Sequence, residues 1–411
     1  MLAGKHIALG VTGGISVYKM CTVVRLLKKA GAEVRVMMTR AATEFVTPLT
    51  FSTLSQNEVV VSLWPQDKHA STDKSVKHID IGLWADAMLV APATANTIAH
   101  IAHGYAEDAL SAAILALRCP LIIAPAMDLD MWEHPATQQN LALLRSRGCF
   151  ILPPEEGELA SGLVGPGRLP EPETIVEYVN DVVAKTPLDL KKKKVLITAG
   201  PTHEPIDPVR FIGNRSSGKM GFALANAAAL RGAEVTLIAG PVTLGTPQHV
   251  KRIDVETAQQ MHDAVMAQMK KADIIIMAAA VADYAPVTAA AEKIKKKDAA
   301  MSLELRSTPD ILRALGEKRT KKQRLIGFAL ETTNELTHAK EKLTKKKLDM
   351  IVLNSTRDKG AAFGHDTNVI TLITAGGAVK KLPLMDKFDA AAEILSAIQE
   401  LQQPRSHKST N

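Results

Sequence analysis

The chain has 411 residues, 46% hydrophobic and 23% charged, a balance that suits soluble globular folding and allows two domains. Aromatics make up only 4%, so the cores must be built from Ala, Val, Ile and Leu, as in parallel sheets covered by helices. The formal charge of +7 comes largely from lysine runs at 191–194, 295–297 and 345–347. No aromatics interleave with these runs, which argues against a single-strand nucleic-acid surface and leaves solvated helix ends or attraction of anionic substrates.

Cys21, Cys119 and Cys149 are odd in number and widely spaced, so they imply neither a disulfide framework nor a metal site. Reduced thiols and a cytoplasmic location are the expectation. A strand-like segment begins by Lys5, leaving no room for a signal peptide, and no apolar run approaches a membrane span.

In chain order, the first half alternates apolar strand runs with helical patterns. HIALGVTGG (6–14) reads as an apolar strand run ending in a glycine turn, further strands are expected at EVRVMMT (33–39), AMLVAPA (87–93), LIIAPA (121–126) and CFILP (149–153), and helices at 17–30, 137–148 and 172–184. TPLDLKKKK (186–194) reads as a linker, placing the boundary near 190. The second half repeats the scheme, with strands at 195–200, 234–240, 273–281, 324–330, 349–354 and 368–374 and helices at 220–232, 258–272 and 334–347. The expected fold class is α/β, with two doubly wound domains, 1–190 and 191–402, and a frayed tail at 403–411.

Ligands in doubly wound sheets gather beyond the carboxyl ends of the strands, so the turns there hold the candidate sites. Gly10, Gly13 and Gly14 form a glycine-rich turn where backbone amides can approach a phosphate, and Ser16 is placed to cap the next helix. The spacing is not GxGxxG, and the second strand ends in MMTR (37–40) with no ribose-binding acid. Both features count against a tandem-Rossmann NAD(P) oxidoreductase, and Thr39 suits flavin mononucleotide better.

GVTGGIS, VKHIDIGLWAD (76–86), APATANTIA (91–99), PAMDLDMW (125–132) and GPGR (165–168), in this order, resemble the flavin-containing cysteine decarboxylases over residues 3–185. The resemblance implies a flavodoxin-like domain that binds FMN through Gly13, Gly14, Ser16, Thr39, Ala91 and Thr94, with His78 as catalytic base. Two residues depart from the family pattern. Asp128 stands where an asparagine usually holds the substrate carboxylate; an ionised Asp there would repel it, so Asp128 is expected either to be protonated through burial or to contact another part of the substrate. Ser161, in ELASGLVGPGR (158–168), stands where a cysteine usually donates a proton, so Ser161 or a water on it is expected to take that role beneath a mobile flap. Without that proton, turnover would stop at an enethiol product.

The string ITAGPTHEPIDPVRFIGNRSSGKMG (197–221) is the most specific in the second half. Its GNRSSGK is not a Walker A loop, because Met220 replaces the magnesium-binding hydroxyl and no strand directly precedes it. With AAVADY (279–284), EKIKK (292–296), STPDIL (307–312) and KLTKKKLD (342–349), it is similar to the phosphopantothenate–cysteine ligases from Lys193 to Lys387. The resemblance implies a Rossmann-like domain that activates 4'-phosphopantothenate with CTP and magnesium and then transfers the acyl group to cysteine. It assigns Asn214 to holding the acyl-cytidylate and Lys293 to charge developing on phosphate. The nucleotide would lie against Met277, Ala278, Ala279, Asp283, Pro309, Asp310, Ile311, Leu312 and Phe328. Lys342 and Lys346, four apart on a helix, would face the triphosphate.

The whole chain is therefore similar to the bacterial fused enzymes of coenzyme A synthesis, which ligate and then decarboxylate. Trimeric decarboxylase contacts and dimeric ligase contacts, together giving a dodecamer, come with that likeness. A ligase-only chain with an altered flavin domain is the other outcome that Asp128 and Ser161 leave open.

Overall fold

The computed structural model describes residues 2–64, 77–295, 301–331, 334–355 and 366–401, so the tail read as frayed lies outside the described residues. The chain divides into two compact units, Met1–Pro187 and Leu188–Asn411.

The first unit is built on strands β1 (His6–Val11), β2 (Glu33–Met38), β3 (Ala87–Ala93), β4 (Leu121–Pro125) and the short β5 (Phe150–Ile151). They form one parallel sheet in the order β2-β1-β3-β4-β5, the flavodoxin-like arrangement, whose order reverses between β1 and β3. The sheet is covered by helices α1 (Val17–Lys29), α2 (Pro48–Ser55), α3 (Lys77–Trp84), α4 (Ala95–His103), α5 (Ala109–Leu115), α6 (Leu129–Glu133), α7 (Pro135–Ser146) and α8 (Pro172–Lys185). Helix α1 shows why the pattern folds this way: Val17, Met20, Val23, Val24 and Leu27 recur on one face and are fully buried. Each such side chain contributes about 1.5–3 kcal/mol. A two-stranded flap, β6 (Glu155–Glu158) and β7 (Val164–Arg168), stands apart from the main sheet, with Ser161 in its exposed tip.

The second unit carries an eight-stranded sheet ordered β12-β11-β8-β13-β16-β17-β19-β20. Its strands are β8 (Lys194–Ala199), β11 (Glu234–Ala239), β12 (Val250–Asp254), β13 (Ile274–Met277), β16 (Arg324–Glu331), β17 (Met350–Ser355), β19 (Ile370–Thr374) and β20 (Val379–Lys381). Through β17 the strands are parallel and follow the doubly wound Rossmann order, and the last two pair antiparallel. Between them lie hairpin β9 (His203–Pro205) with β10 (Phe211–Gly213), hairpin β14 (Tyr284–Pro286) with β15 (Leu305–Ser307), and β18 (Thr367–Asn368). The helices are α9 (Lys219–Leu230), α10 (Ala258–Met269), α11 (Ile311–Lys318), α12 (Glu335–Lys345) and α13 (Lys387–Glu400).

Residues 188–193, read from sequence as part of a linker, are docked on this second unit. Leu190 is fully buried and its amide donates to the Arg231 carbonyl oxygen. Asp189 takes the Arg231 guanidinium, whose Nη1 also donates to Ala392 O and Ser396 Oγ, both at 3.1 Å. The Arg231 side chain is 1% exposed, so its charge depends on these partners. Arg231→Ala removes them and opens a cavity, and is expected to cost about 3 kcal/mol, read as a lower midpoint in urea unfolding of the second unit.

Candidate active sites in the two units

In the first unit the β1 and β3 turns meet at the reversal point of the sheet. Thr12 Oγ1 donates to Pro92 O (2.6 Å) and accepts from the Thr94 amide (3.1 Å), tying the two turns together. Thr94 caps α4 by accepting from the Thr97 amide, and Thr39 caps a 3₁₀ turn by accepting from Ala42. The structure thus brings Gly13, Gly14, Ser16, Thr39, Ala91 and Thr94 to one rim of the sheet. Ser16 stands at the N-cap of α1 but makes no side-chain capping bond, so the expected cap is not formed.

The two glycines differ in what they require. A Cβ on Gly13 would lie 2.6 Å from Ala41 Cβ, so packing alone demands glycine there. A Cβ on Gly14 would meet nothing closer than Thr94 Cγ2 at 4.0 Å, so the space it would occupy is open. That open space lies at the N-terminus of α1, where helix backbone amides suit a phosphate, and so it fits a phosphate-bearing flavin. Gly13→Ala is expected to push the 40–44 turn outward, cost about 1–3 kcal/mol and lower the flavin content of the purified protein.

His78 lies in the first turn of α3 and is half-buried. Asp128 follows β4 and precedes α6, where it makes no capping bond. Its surroundings are fixed by backbone: Ala126 N donates to Ala93 O (3.1 Å) and Met127 N to Gly167 O of the flap (3.0 Å).

In the second unit a cleft of about 730 Å³ opens beyond the carboxyl ends of β13, β16 and β17, beside the N-terminus of α9, within the size range of small-molecule sites. Asn214, Met277, Ala278, Ala279, Asp283, Pro309, Asp310, Ile311, Leu312, Phe328, Lys342 and Lys346 all line it. Asn214 follows β10, and its Nδ2 donates to the carbonyl oxygens of Ala280 and Val281, both at 3.1 Å. Lys342 Nζ donates to Phe328 O (2.9 Å), and Lys346 pairs with Asp310. Burial opposes ionisation of Asp310, but Lys346 and the Arg313 amide outweigh it and hold the carboxyl below its ordinary value.

Lys293 is exposed and does not line the cleft. Its segment is held by a clamp that sequence reading missed. Asp207, whose side chain is fully buried, accepts from the Ile294 amide (3.1 Å), while Arg210 Nη2 donates to Ile294 O (2.8 Å). The Arg210 guanidinium and nearby backbone amides hold the Asp207 carboxyl well below the usual carboxylate range despite burial. The clamp lies in the β9–β10 turn, just before Asn214, so one hairpin supports both residues. Its only sequence signal was the DPVR string inside the long motif. Lys219, Asn354, Asn368 and Lys387 also line the cleft and were not anticipated. Among the described residues no group of three or more His, Cys, Asp or Glu is placed to hold a metal ion, and no helix is long and apolar enough to cross a membrane.

These features define a two-unit α/β chain, with a flavodoxin-like unit followed by a Rossmann-like unit that carries a cleft. A family profile described as "Flavoprotein" matches residues 1–184, and one described as "DNA/pantothenate metabolism flavoprotein C-terminal domain" matches 190–401. The chain is 46% identical over 411 residues to Coenzyme A biosynthesis bifunctional protein CoaBC of Bacillus subtilis (strain 168), covering 100% of both chains. It is 51% identical over 358 residues to a cysteine/cysteine sulfinic acid decarboxylase of an unknown prokaryotic organism, covering 86% of this chain and 98% of that one. A crystal structure of the C-terminal domain of a CoaBC protein matches with 45% identity and a TM-score of 0.45, covering 52% of this chain and 97% of that one. The chain belongs to the family of bifunctional coenzyme A biosynthesis proteins.

Proposed function

We propose that the chain makes 4'-phosphopantetheine in two reactions. The second unit joins cysteine to 4'-phosphopantothenate at the expense of CTP, releasing CMP and pyrophosphate, and the first unit decarboxylates the product with FMN. The observation that carries this reading is the cleft beyond β13, β16 and β17, which gathers Asn214 with every expected nucleotide position except Lys293.

In that cleft, Asp283 reads the nucleotide, accepting from the exocyclic amine of cytosine. Lys342 and Lys346 neutralise the triphosphate, and Lys346 exchanges its Asp310 partner for phosphate oxygen. Magnesium would accompany the nucleotide through its phosphates. Asn214 holds the activated acyl group, and Lys293 meets charge developing on the α-phosphate.

In the first unit, Gly13, Gly14, Ser16, Thr39, Ala91 and Thr94 would hold FMN, with the backbone amides at the start of α1 suited to its phosphate. Bound flavin supplies a reversible two-electron sink for the substrate thiol. His78 moves the proton and Ser161, or a water on it, returns one from the flap. The 51%-identical relative acts on cysteine and cysteine sulfinic acid, so free amino acids belong among the substrates tested here. Exposed Ile15, Tyr18, Phe45 and Leu49, from 48% to 74% exposed, support subunit contacts around this site.

The test supplies 4'-phosphopantothenate, CTP and cysteine to the yellow purified protein. Pyrophosphate, carbon dioxide and a product with the mass of 4'-phosphopantetheine are expected. A product two hydrogens lighter would show that Ser161 does not return the proton. A colourless protein that releases no pyrophosphate would overturn the reading.

A further inference from the structure

Asp128 is a half-buried carboxylate with neither a hydrogen bond nor an ion pair to its side chain among the described residues. It stands on the rim where β3 and β4 end, one residue from the Met127–Gly167 contact that pins the flap. A Cβ on Gly165 of the flap would lie 2.8 Å from Leu129 Cδ1, so the flap packs directly against the residue after Asp128. Ligands of a doubly wound sheet bind at this rim. A carboxylate left unpaired and half-buried there has lost part of its hydration, and a ligand group that donates to it returns what was lost.

An ionised Asp is an acceptor only. It repels a substrate carboxylate and attracts a substrate nitrogen that carries protons. In an acylated cysteine that nitrogen is a neutral amide. In free cysteine it is an ammonium at neutral pH, and a charge-assisted hydrogen bond is about twice as strong as a neutral one.

We propose that Asp128 is a specificity residue that lets the first unit accept cysteine bearing a free α-ammonium group, in addition to acylated cysteine. The inference rests on the flavin-dependent decarboxylation assigned above and adds a substrate class to it. In the reaction the cysteine carboxylate leaves as carbon dioxide and one proton takes its place on the α-carbon, giving cysteamine. Electrons lent to the flavin return to the substrate, so no external oxidant or reductant is consumed.

The test uses the full chain with bound flavin, carboxyl-labelled L-cysteine and, separately, 4'-phosphopantothenoylcysteine. The wild type is expected to release labelled carbon dioxide from cysteine and to form cysteamine. In Asp128→Asn, which keeps the side-chain shape, the ratio of kcat/KM for cysteine to that for phosphopantothenoylcysteine should fall about 10- to 100-fold. Turnover of phosphopantothenoylcysteine with no turnover of cysteine overturns the inference alone. An unchanged ratio in the variant, with flavin retained, also overturns it. Turnover of neither substrate by the yellow wild type overturns both the inference and the decarboxylase assignment.

Discussion

His78→Asn is expected to lower decarboxylation of 4'-phosphopantothenoylcysteine about 10²- to 10⁴-fold, the range general acid–base catalysis supplies. Asparagine keeps the polarity of the position but cannot move a proton near neutral pH. His78 makes no hydrogen bond to the described residues that would hold the fold together, and it lies in the first turn of α3, outside the sheet core. Flavin content and thermal stability should therefore stay close to wild type. Ligation should also continue, because the cleft lining belongs to the other compact unit. The variant given 4'-phosphopantothenate, CTP and cysteine should accumulate the ligated acid, seen by mass spectrometry, while carbon dioxide release stops. Carbon dioxide release at the wild-type rate would remove His78 from the mechanism.

The second large effect is expected at Lys293. Lys293→Gln should lower ligation about 10²- to 10³-fold, as loss of a group aimed at developing charge does. The geometry suits a group that acts late. Lys293 is exposed, yet Asp207 and Arg210 grip the next residue, Ile294, through both its amide and its carbonyl. Ala290 N also donates to Ile206 O at 2.9 Å, so the segment is tied to the β9–β10 turn at two points. The segment that carries Lys293 is thus held by the same hairpin that leads into Asn214, and Lys293 itself has no side-chain partner among the described residues. The variant should lose kcat more than CTP binding, because Lys342, Lys346 and the cleft wall still hold the nucleotide. Pyrophosphate release in the absence of cysteine isolates the activation step, and that step should show the deficit. A variant with normal pyrophosphate release would place Lys293 outside the chemistry.

Much of the fold was legible in the sequence. The AMLVAPA run became β3 with the same ends, and LIIAPA, EVRVMMT and RLIGFAL became β4, β2 and β16 within a residue or two. These are apolar runs buried on both faces, the pattern least dependent on context. The predicted strand 273–281 was too long. Only Ile274–Met277 is strand, because the alanines after it leave the sheet to line the cleft. CFILP gave just two strand residues at the sheet edge.

Strand β12 was missed because VKRID mixes charges into an edge strand with one partner, where half-burial no longer enforces an apolar pattern. Helix α13 was also missed, although KFDAAAEILSAIQE carries a capping Asp386 and buried Ala390, Ile394, Leu395 and Ile398 at helical spacing, so there the signal was present and overlooked.

By itself, the sequence determined two α/β halves and the order of their motifs, since each depends on residue type and spacing over short stretches. Only the tertiary structure decided that Asn214 and the strand-end alanines share one cleft with lysines far along the chain, that Gly14 borders open space while Gly13 is demanded by Ala41, and that Asp207 anchors the lysine segment. It also decided that the Asp128 side chain has no hydrogen-bond or ion-pair partner among the described residues. Those facts depend on which distant residues face one another across a packed sheet, and local pattern carries no information about that meeting.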